Sequence, residues 1–135
     1  MKRHLFTAIT SLGLVIALAG CYEGYTGRDG AMLKQYLPVE KMKELVDNPR
    51  QDIWIVDVRP ESAFKGGHIP GARNFPSRQI LDRLAEIPKE QYLLLTCETG
   101  GRAQIVARRL EKAGYTRFMN WGGNSRYFDV YGMEK

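Results

Sequence analysis

The sequence predicts an α/β protein in which helices cover both faces of a parallel sheet. Two nearly continuous apolar runs, at 53–58 and 92–96, are typical of buried parallel strands. Apolar residues keep helical spacing at 39–46 and 103–114, so strands and helices alternate along the chain. Functional loops of such sheets follow the carboxyl ends of the strands. Cys97 stands directly after the second run.

Shorter elements fill the segments between these. Pro76 restricts its neighbourhood to an edge strand, since proline cannot donate to a central ladder. Ser77 is a suitable N-cap for a helix that ends before Pro88. The further predicted elements are a helical turn at 60–64, an edge strand at 74–76, a helix at 77–87, a strand at 117–121, a turn at 122–123 and a helix at 124–131.

Length and charge narrow the possible functions. The 135 residues suffice for one domain with a single core. Of the 20 basic residues, Lys2 and Arg3 lie in an apolar leader, which leaves 18 against 15 acidic residues, a net charge of about +3. This mild and scattered excess argues against nucleic acid as a partner.

The first 20 residues read as a signal peptide. Residues 5–19 are apolar or small and follow a short basic stretch, and 15 residues of helix span about 22 Å, less than a bilayer core. The sequence Leu18-Ala19-Gly20-Cys21 resembles the lipobox of bacterial lipoproteins. The resemblance implies that the chain is cut before Cys21 and that this residue carries the lipid. Two alternatives remain open: plain cleavage after Ala19, which gives a soluble protein, and an uncleaved anchor.

Export and a membrane anchor follow from this interpretation. We expect a protein of the bacterial cell envelope that faces the periplasm. Tyr22, where an inner-membrane retention signal would have aspartate, favours the outer membrane over the inner. The predicted organisation is a signal peptide at 1–20, the lipidated cysteine and a flexible, glycine-containing tether at 21–32, and the domain at 33–135.

The candidate reactive group is the thiol of Cys97. The segment Cys97-Glu98-Thr99-Gly100-Gly101-Arg102 joins a strand to a helix and contains two glycines. Backbone N–H groups at the start of a helix favour a thiolate. The spacing is C-x₄-R, which gives a ring too small for a tetrahedral phosphate. Cysteine phosphatase chemistry is therefore disfavoured.

Several separated motifs together resemble the rhodanese-like domain. They are Asp57-Val58-Arg59, Gly67-His68-Ile69-Pro70-Gly71-Ala72-Arg73-Asn74, Cys97-x-x-Gly100-x-Arg102, Ala113-Gly114-Tyr115 and Trp121-Gly122-Gly123. The resemblance covers 33–131. It implies a small domain with a mainly parallel sheet of about five strands. It also implies a sulfurtransferase in which a cysteine carries a sulfane sulfur as a persulfide.

The resemblance assigns roles to the candidate residues. Cys97 is the expected nucleophile, and Glu98, Thr99, Gly100, Gly101 and Arg102 form the substrate-binding loop. Asp57 and Arg59 are interpreted as architectural, tying neighbouring loops. His68 is interpreted as a loop-packing residue rather than a base. We expect no metal and no other cofactor, because one core cysteine and one histidine cannot form a metal site.

Glu98 is the main departure from the family pattern, because many members that use thiosulfate carry a basic or neutral residue in this loop. A carboxylate about 5 Å from a bound anion costs about 3 kcal/mol at an effective dielectric of 20. We therefore expect poor turnover of thiosulfate and a persulfide or polysulfide donor.

Two other functions remain open at this point. One is a catalytically silent binding module, and the other is an envelope protein whose Cys97 meets sulfur species or oxidants without turnover. We expect a monomer that exchanges sulfur with a separate acceptor, a thiol or cyanide. Without acylation, a disulfide between Cys21 and Cys97 also becomes possible.

Overall fold

A four-stranded parallel sheet forms the centre of the domain. The computed structural model describes residues 23–135, and the leader and Cys21 lie outside them. The strands are β1 (Ile53–Asp57), β2 (Arg73–Asn74), β3 (Tyr92–Cys97) and β4 (Phe118–Gly123), in the order β2-β1-β3-β4. β3 lies between β1 and β4, so its carboxyl end, at Cys97, is central in the sheet.

Helices lie on both faces of the sheet. They are α1 (Val39–Asp47), α2 (Glu61–Gly66), α3 (Gly101–Lys112) and α4 (Ser125–Tyr131), with 3₁₀ helices at Ala31–Tyr36 and Ile80–Glu86. One core cluster joins α3 and the second 3₁₀ helix to the sheet, and the other joins α1 and α4 to its opposite face. The predicted fold class is confirmed, with four parallel strands where about five were expected.

Two local predictions were wrong. The segment expected to form a helix at 77–87 is a 3₁₀ helix from Ile80, with non-helical angles at Arg83 and no side-chain cap. The helix is interrupted where the backbone of Arg83 leaves helical angles. Before it, the N–H of Ser77 donates to Val58 O (2.9 Å), which holds that residue against the end of β1. Gly122 and Gly123, expected to form a turn, are the last residues of β4.

The segment expected to be a flexible tether is docked on the sheet. Residues 24–29 run antiparallel to β4, with Gly24 N–H donating to Asn120 O (2.8 Å) and Gly27 N–H to Phe118 O (3.0 Å). Thr26 forms an isolated antiparallel bridge with Met119. A Cβ on Gly27 would lie 2.4 Å from Thr116 O, so the close approach requires glycine there. The structure thus differs from the sequence prediction in this segment, and its glycines serve contact rather than flexibility.

Residues 23–135 contain no helix that is both long enough and apolar enough to cross a membrane. The predicted signal peptide and the lipidated Cys21 fall on residues that the structure does not describe, and they stay predictions.

Candidate active site

The thiol of Cys97 lies at the start of α3. Its side chain is only 1% exposed, and its Sγ accepts a hydrogen bond from the N–H of Gly100 at 3.0 Å. Gly100 has φ +92°, a conformation that L residues rarely adopt. The twelve-residue helix α3 begins at the next residue, Gly101, and its first N–H groups have no partner within the helix. The sulfur therefore lies within hydrogen-bond distance of the backbone that leads into α3.

The carboxyl end of β4 supports the cysteine loop from behind. The N–H of Asn124 donates to Cys97 O at 2.8 Å. A Cβ on Gly123 would lie 2.5 Å from Glu98 O, and a Cβ on Gly100 would lie 3.1 Å from the Cα of Gly122. Gly123 is thus required by close approach to the loop, and Gly100 packs closely on Gly122, roles that the prediction of a turn at 122–123 had missed.

Asn120 is a second supporting residue that sequence reasoning missed. It is fully buried in β4, and its amide group donates to Gly100 O (2.9 Å) and to Gln104 Oε1 (3.2 Å). Its Oδ1 accepts the N–H of Gly122 at 3.0 Å. The available signal was a polar residue inside a strand-like apolar run, because a buried amide needs partners.

Asp57 and Arg59 form a buried ion pair beside the loop. Arg59 Nη2 lies 2.7 Å from Asp57 Oδ2, and the same nitrogen donates to Gly67 O at 2.7 Å. The amide of Asn124 donates to Asp57 Oδ2 at 3.2 Å. The pair thus connects the loops after β1, α2 and β4, and neither of its side chains hydrogen-bonds to the Cys97 thiol.

His68 is held within its own loop. Its Nδ1 is 2.9 Å from Phe64 O, and its ring stacks on Phe64 with centroids 3.8 Å apart. Its backbone pairs with Glu134 in an antiparallel bridge. These contacts engage the ring in packing, away from Cys97.

Glu98 and Arg102 form an ion pair on the outside of the loop. Arg102 Nη1 lies 3.3 Å from Glu98 Oε1, and each side chain is 46% exposed. Because both groups remain in water, their attraction is weak and either side chain is free to move. The Arg102 guanidinium is therefore free either to pair with Glu98 or to face the space in front of the loop.

A surface cleft lies next to Arg102. Its volume is about 330 Å³, and it is lined by Pro60, Glu61, Pro76, Ser77, Arg78, Gln79 and Arg102. Cys97 is buried and does not line the cleft, so Arg102 is the part of the loop that borders it. The cleft has room for a small molecule, with two guanidinium groups on its wall.

Within residues 23–135, no group of three or more His, Cys, Asp or Glu side chains is placed to bind a metal ion. Cys97 is the free cysteine of this part of the chain.

Comparison with known proteins identifies the family. The model of the rhodanese-like domain matches residues 38–125. The chain belongs to the rhodanese-like domain family. This confirms the resemblance drawn from its motifs, and the matched range contains every proposed site residue except Cys21.

Curated relatives include proteins named for sulfur transfer. The chain is 33% identical over 73 residues to a sulfurtransferase of Allochromatium vinosum, covering 54% of this chain and 68% of that protein. It is 38% identical over 76 residues to YqhL of Bacillus subtilis, and the match spans 60% of that protein's length and 51% of this chain. The name of the Allochromatium vinosum protein supports a sulfurtransferase family.

Solved structures agree with the fold. A protein of Staphylococcus saprophyticus, SSP1007, has a TM-score of 0.61 and 31% identity, covering 72% of this chain and 95% of the other. A rhodanese-like domain protein of Staphylococcus aureus has a TM-score of 0.60 and 27% identity, covering 71% and 92%.

Proposed function

We propose that this protein is a sulfurtransferase that carries a sulfane sulfur as a persulfide on Cys97. The observation that carries the proposal is the 3.0 Å contact between the Cys97 Sγ and the N–H of Gly100, at the N-terminus of α3. A cysteine sulfur is the nucleophile in this chemistry, and here it already accepts a hydrogen bond from a backbone N–H of the loop. The sulfurtransferase names of relatives support the same reaction class.

The reaction needs two displacements and no external oxidant. In the first, the Cys97 thiolate attacks the outer sulfur of a donor, a new S–S bond forms, and the bond between that sulfur and the rest of the donor breaks. A persulfide then leaves as a thiolate, a polysulfide as a chain one sulfur shorter, and thiosulfate as sulfite. In the second, a thiol or cyanide attacks the outer sulfur of the Cys97 persulfide. That S–S bond breaks, the acceptor keeps the sulfur, and Cys97 is again a thiolate. The two steps give ping-pong kinetics.

The loop geometry favours sulfur over phosphate as the transferred group. Four residues separate Cys97 from Arg102, and Gly100 already donates its N–H to the thiol. A single outer sulfur atom needs a smaller ring of N–H groups than a tetrahedral phosphate. This supports sulfur transfer, as the spacing predicted.

The donor is proposed to be a persulfide or polysulfide rather than thiosulfate. Glu98 places a carboxylate at the loop, which repels the thiosulfate dianion about twice as strongly as a donor with a single negative charge, such as a persulfide. Because the carboxylate is partly exposed and pairs with Arg102, the repulsion is smaller than the about 3 kcal/mol that an effective dielectric of 20 gives. The expected preference is therefore moderate, a matter of several-fold rather than of exclusion.

Mass spectrometry of the intact protein tests the proposal. After treatment with a polysulfide, the wild type should gain one sulfur, about 32 Da. Cyanide should remove it, and Cys97→Ser should not acquire it. Absence of the gain with thiosulfate, persulfide and polysulfide would favour a silent binding module. Gain of oxygen instead of sulfur would favour a redox protein.

A bacterial envelope location is part of the same proposal. We infer from the lipobox-like sequence that Cys21 is acylated and holds the domain at the periplasmic side of the outer membrane. The protein purified from a bacterial membrane fraction should start at Cys21 and carry acyl chains. Cys21→Ser should leave it in the soluble fraction, and a wild type found there without lipid would contradict the inference.

A further inference from the structure

Residues 24–29, named here the docked strand, run along the outer edge of β4. Its backbone bonds run antiparallel to β4: Gly24 N–H donates to Asn120 O (2.8 Å), Asn120 N–H donates to Tyr25 O (2.8 Å), and Asp29 N–H donates to Thr116 O (2.9 Å). The chain therefore enters the domain at the carboxyl end of β4 and runs towards its amino end. The carboxyl end is the edge of the sheet where Cys97 lies.

The side chain of Glu23 lies at the point of entry. Its carboxylate lies 3.5 Å from Arg126, at the start of α4. Its side chain covers Gly122, because a Cβ on that glycine would lie 2.7 Å from the Cγ of Glu23. Gly122 in turn contacts Gly100, the N–H donor to the thiol of Cys97. A single residue thus separates the entry point from the cysteine loop.

Covalent geometry then limits the distance to any anchor on Cys21. Two residues of fully extended chain span at most about 7 Å. A free tether of 12 residues, by contrast, would have a mean span of about 20 Å and would let the domain turn in any direction. The docked strand removes that freedom.

We propose that acylation of Cys21 holds the carboxyl edge of the sheet, and with it the Cys97 loop, against the surface of the bilayer. Sulfur exchange then takes place at the lipid headgroup layer. The donors and acceptors that reach Cys97 are small molecules or lipid-borne species, because a protein-sized partner is blocked by the membrane. The inference depends on acylation of Cys21 and not on sulfur transfer by Cys97.

The charges at this edge are compatible with a membrane. Three carboxylates are each paired with a cation: Glu23 with Arg126 at 3.5 Å, Glu61 with Lys65 at 2.9 Å, and Glu98 with Arg102 at 3.3 Å. The exposed Arg78 adds one positive charge beside the cleft. An edge that is close to neutral, with a small positive excess, is not repelled by an anionic leaflet.

Fluorescence quenching on vesicles tests the orientation. The full lipidated chain, carrying Cys97→Ser so that only an introduced cysteine reacts, is placed on vesicles whose lipids hold a quencher in the headgroup. One variant adds Ser125→Cys, at the exposed start of α4 directly after β4. The matched control adds Glu90→Cys, exposed just before β3 at the opposite edge. A fluorophore at position 125 should be quenched several-fold more strongly than one at position 90.

Equal quenching at the two positions, or stronger quenching at position 90, would overturn the proposal. So would absence of the purified chain from the vesicles, since the orientation requires the anchor. Insertion of about 12 glycine and serine residues between Tyr22 and Glu23 should make the two positions equally quenched. In detergent, the same insertion in the chain with Cys97 intact should leave the rate of sulfur transfer unchanged. Because quenching is measured without Cys97, failure of the proposed enzymatic function leaves this result unaffected.

Discussion

Two acid–arginine pairs lie at the carboxyl edge of the sheet, and they differ in how far their side chains are buried. The Asp57 and Arg59 side chains are 1% and 9% exposed and share several hydrogen bonds with surrounding loops. Glu98 and Arg102 are each 46% exposed and meet through one contact of 3.3 Å. The buried pair thus holds neighbouring loops together, whereas the exposed pair lies on the surface of the cysteine loop. Removal of one buried partner leaves the other charge buried and unpaired, whereas water replaces a partner that is removed from an exposed pair.

Breaking the buried pair should have the largest effect on stability. Asp57→Asn removes the negative charge and leaves the Arg59 guanidinium buried and unpaired, at an expected cost of about 3–5 kcal/mol in the free energy of unfolding. Chemical denaturation at neutral pH measures this. The double variant Asp57→Asn, Arg59→Met should lose less than the single one, because no charge remains buried. A loss below about 1 kcal/mol for Asp57→Asn would show that the pair is not a structural ion pair.

The close approach between β4 and the cysteine loop should be nearly as sensitive. Gly123→Ala pushes a methyl group to 2.5 Å from Glu98 O, which must displace the loop. We expect a loss of about 1–3 kcal/mol in stability and of about tenfold to hundredfold in sulfur transfer. Gly66→Ala is the matched control, since nothing lies within 4 Å of its added Cβ. Equal activity of the two variants would mean that β4 does not position the loop.

Changing the exposed pair should alter specificity with little effect on stability. Glu98→Gln removes a carboxylate in front of the loop and should raise kcat/KM for thiosulfate by about threefold to tenfold, as Coulomb repulsion in a largely aqueous setting predicts. The free energy of unfolding should change by no more than about 0.5 kcal/mol.

The control for that measurement is Glu44→Gln, which removes an exposed carboxylate paired with Lys41 on α1. It should leave the kinetics unchanged. Unchanged kcat/KM for thiosulfate in Glu98→Gln would show that this residue does not select the donor.

The parts of the fold that were predicted correctly are those with strong local patterns. The apolar runs at β1 and β3 and the helical spacing at α1 and α3 record burial on a sheet face or on one side of a helix, so they are readable without the fold. In the segment at 77–87 the apolar spacing predicted one regular helix, but the backbone at Arg83 has φ −114° and ψ 16°, and the segment is a kinked 3₁₀ helix. Local propensity is a weak guide to such a kink.

The candidate site divides in the same way. Cys97, Arg102 and the glycines between them were identified because their spacing is set by one short loop. Asn120, Gly123 and Asn124 were missed as supports, since each lies 20 or more residues beyond the loop residue that it contacts.

The sequence by itself determined the fold class and the family and pointed to Cys97 as the candidate reactive thiol, because periodicity and short motifs are local properties of the chain. Tertiary structure decided which acid–arginine pair is buried and which glycines are required by close contact. It also decided that residues 24–29 form a docked strand rather than a tether. The physical reason is that burial and backbone pairing depend on what the other elements place nearby. The same glycine-rich segment is flexible in isolation and fixed when an unpaired strand edge lies beside it.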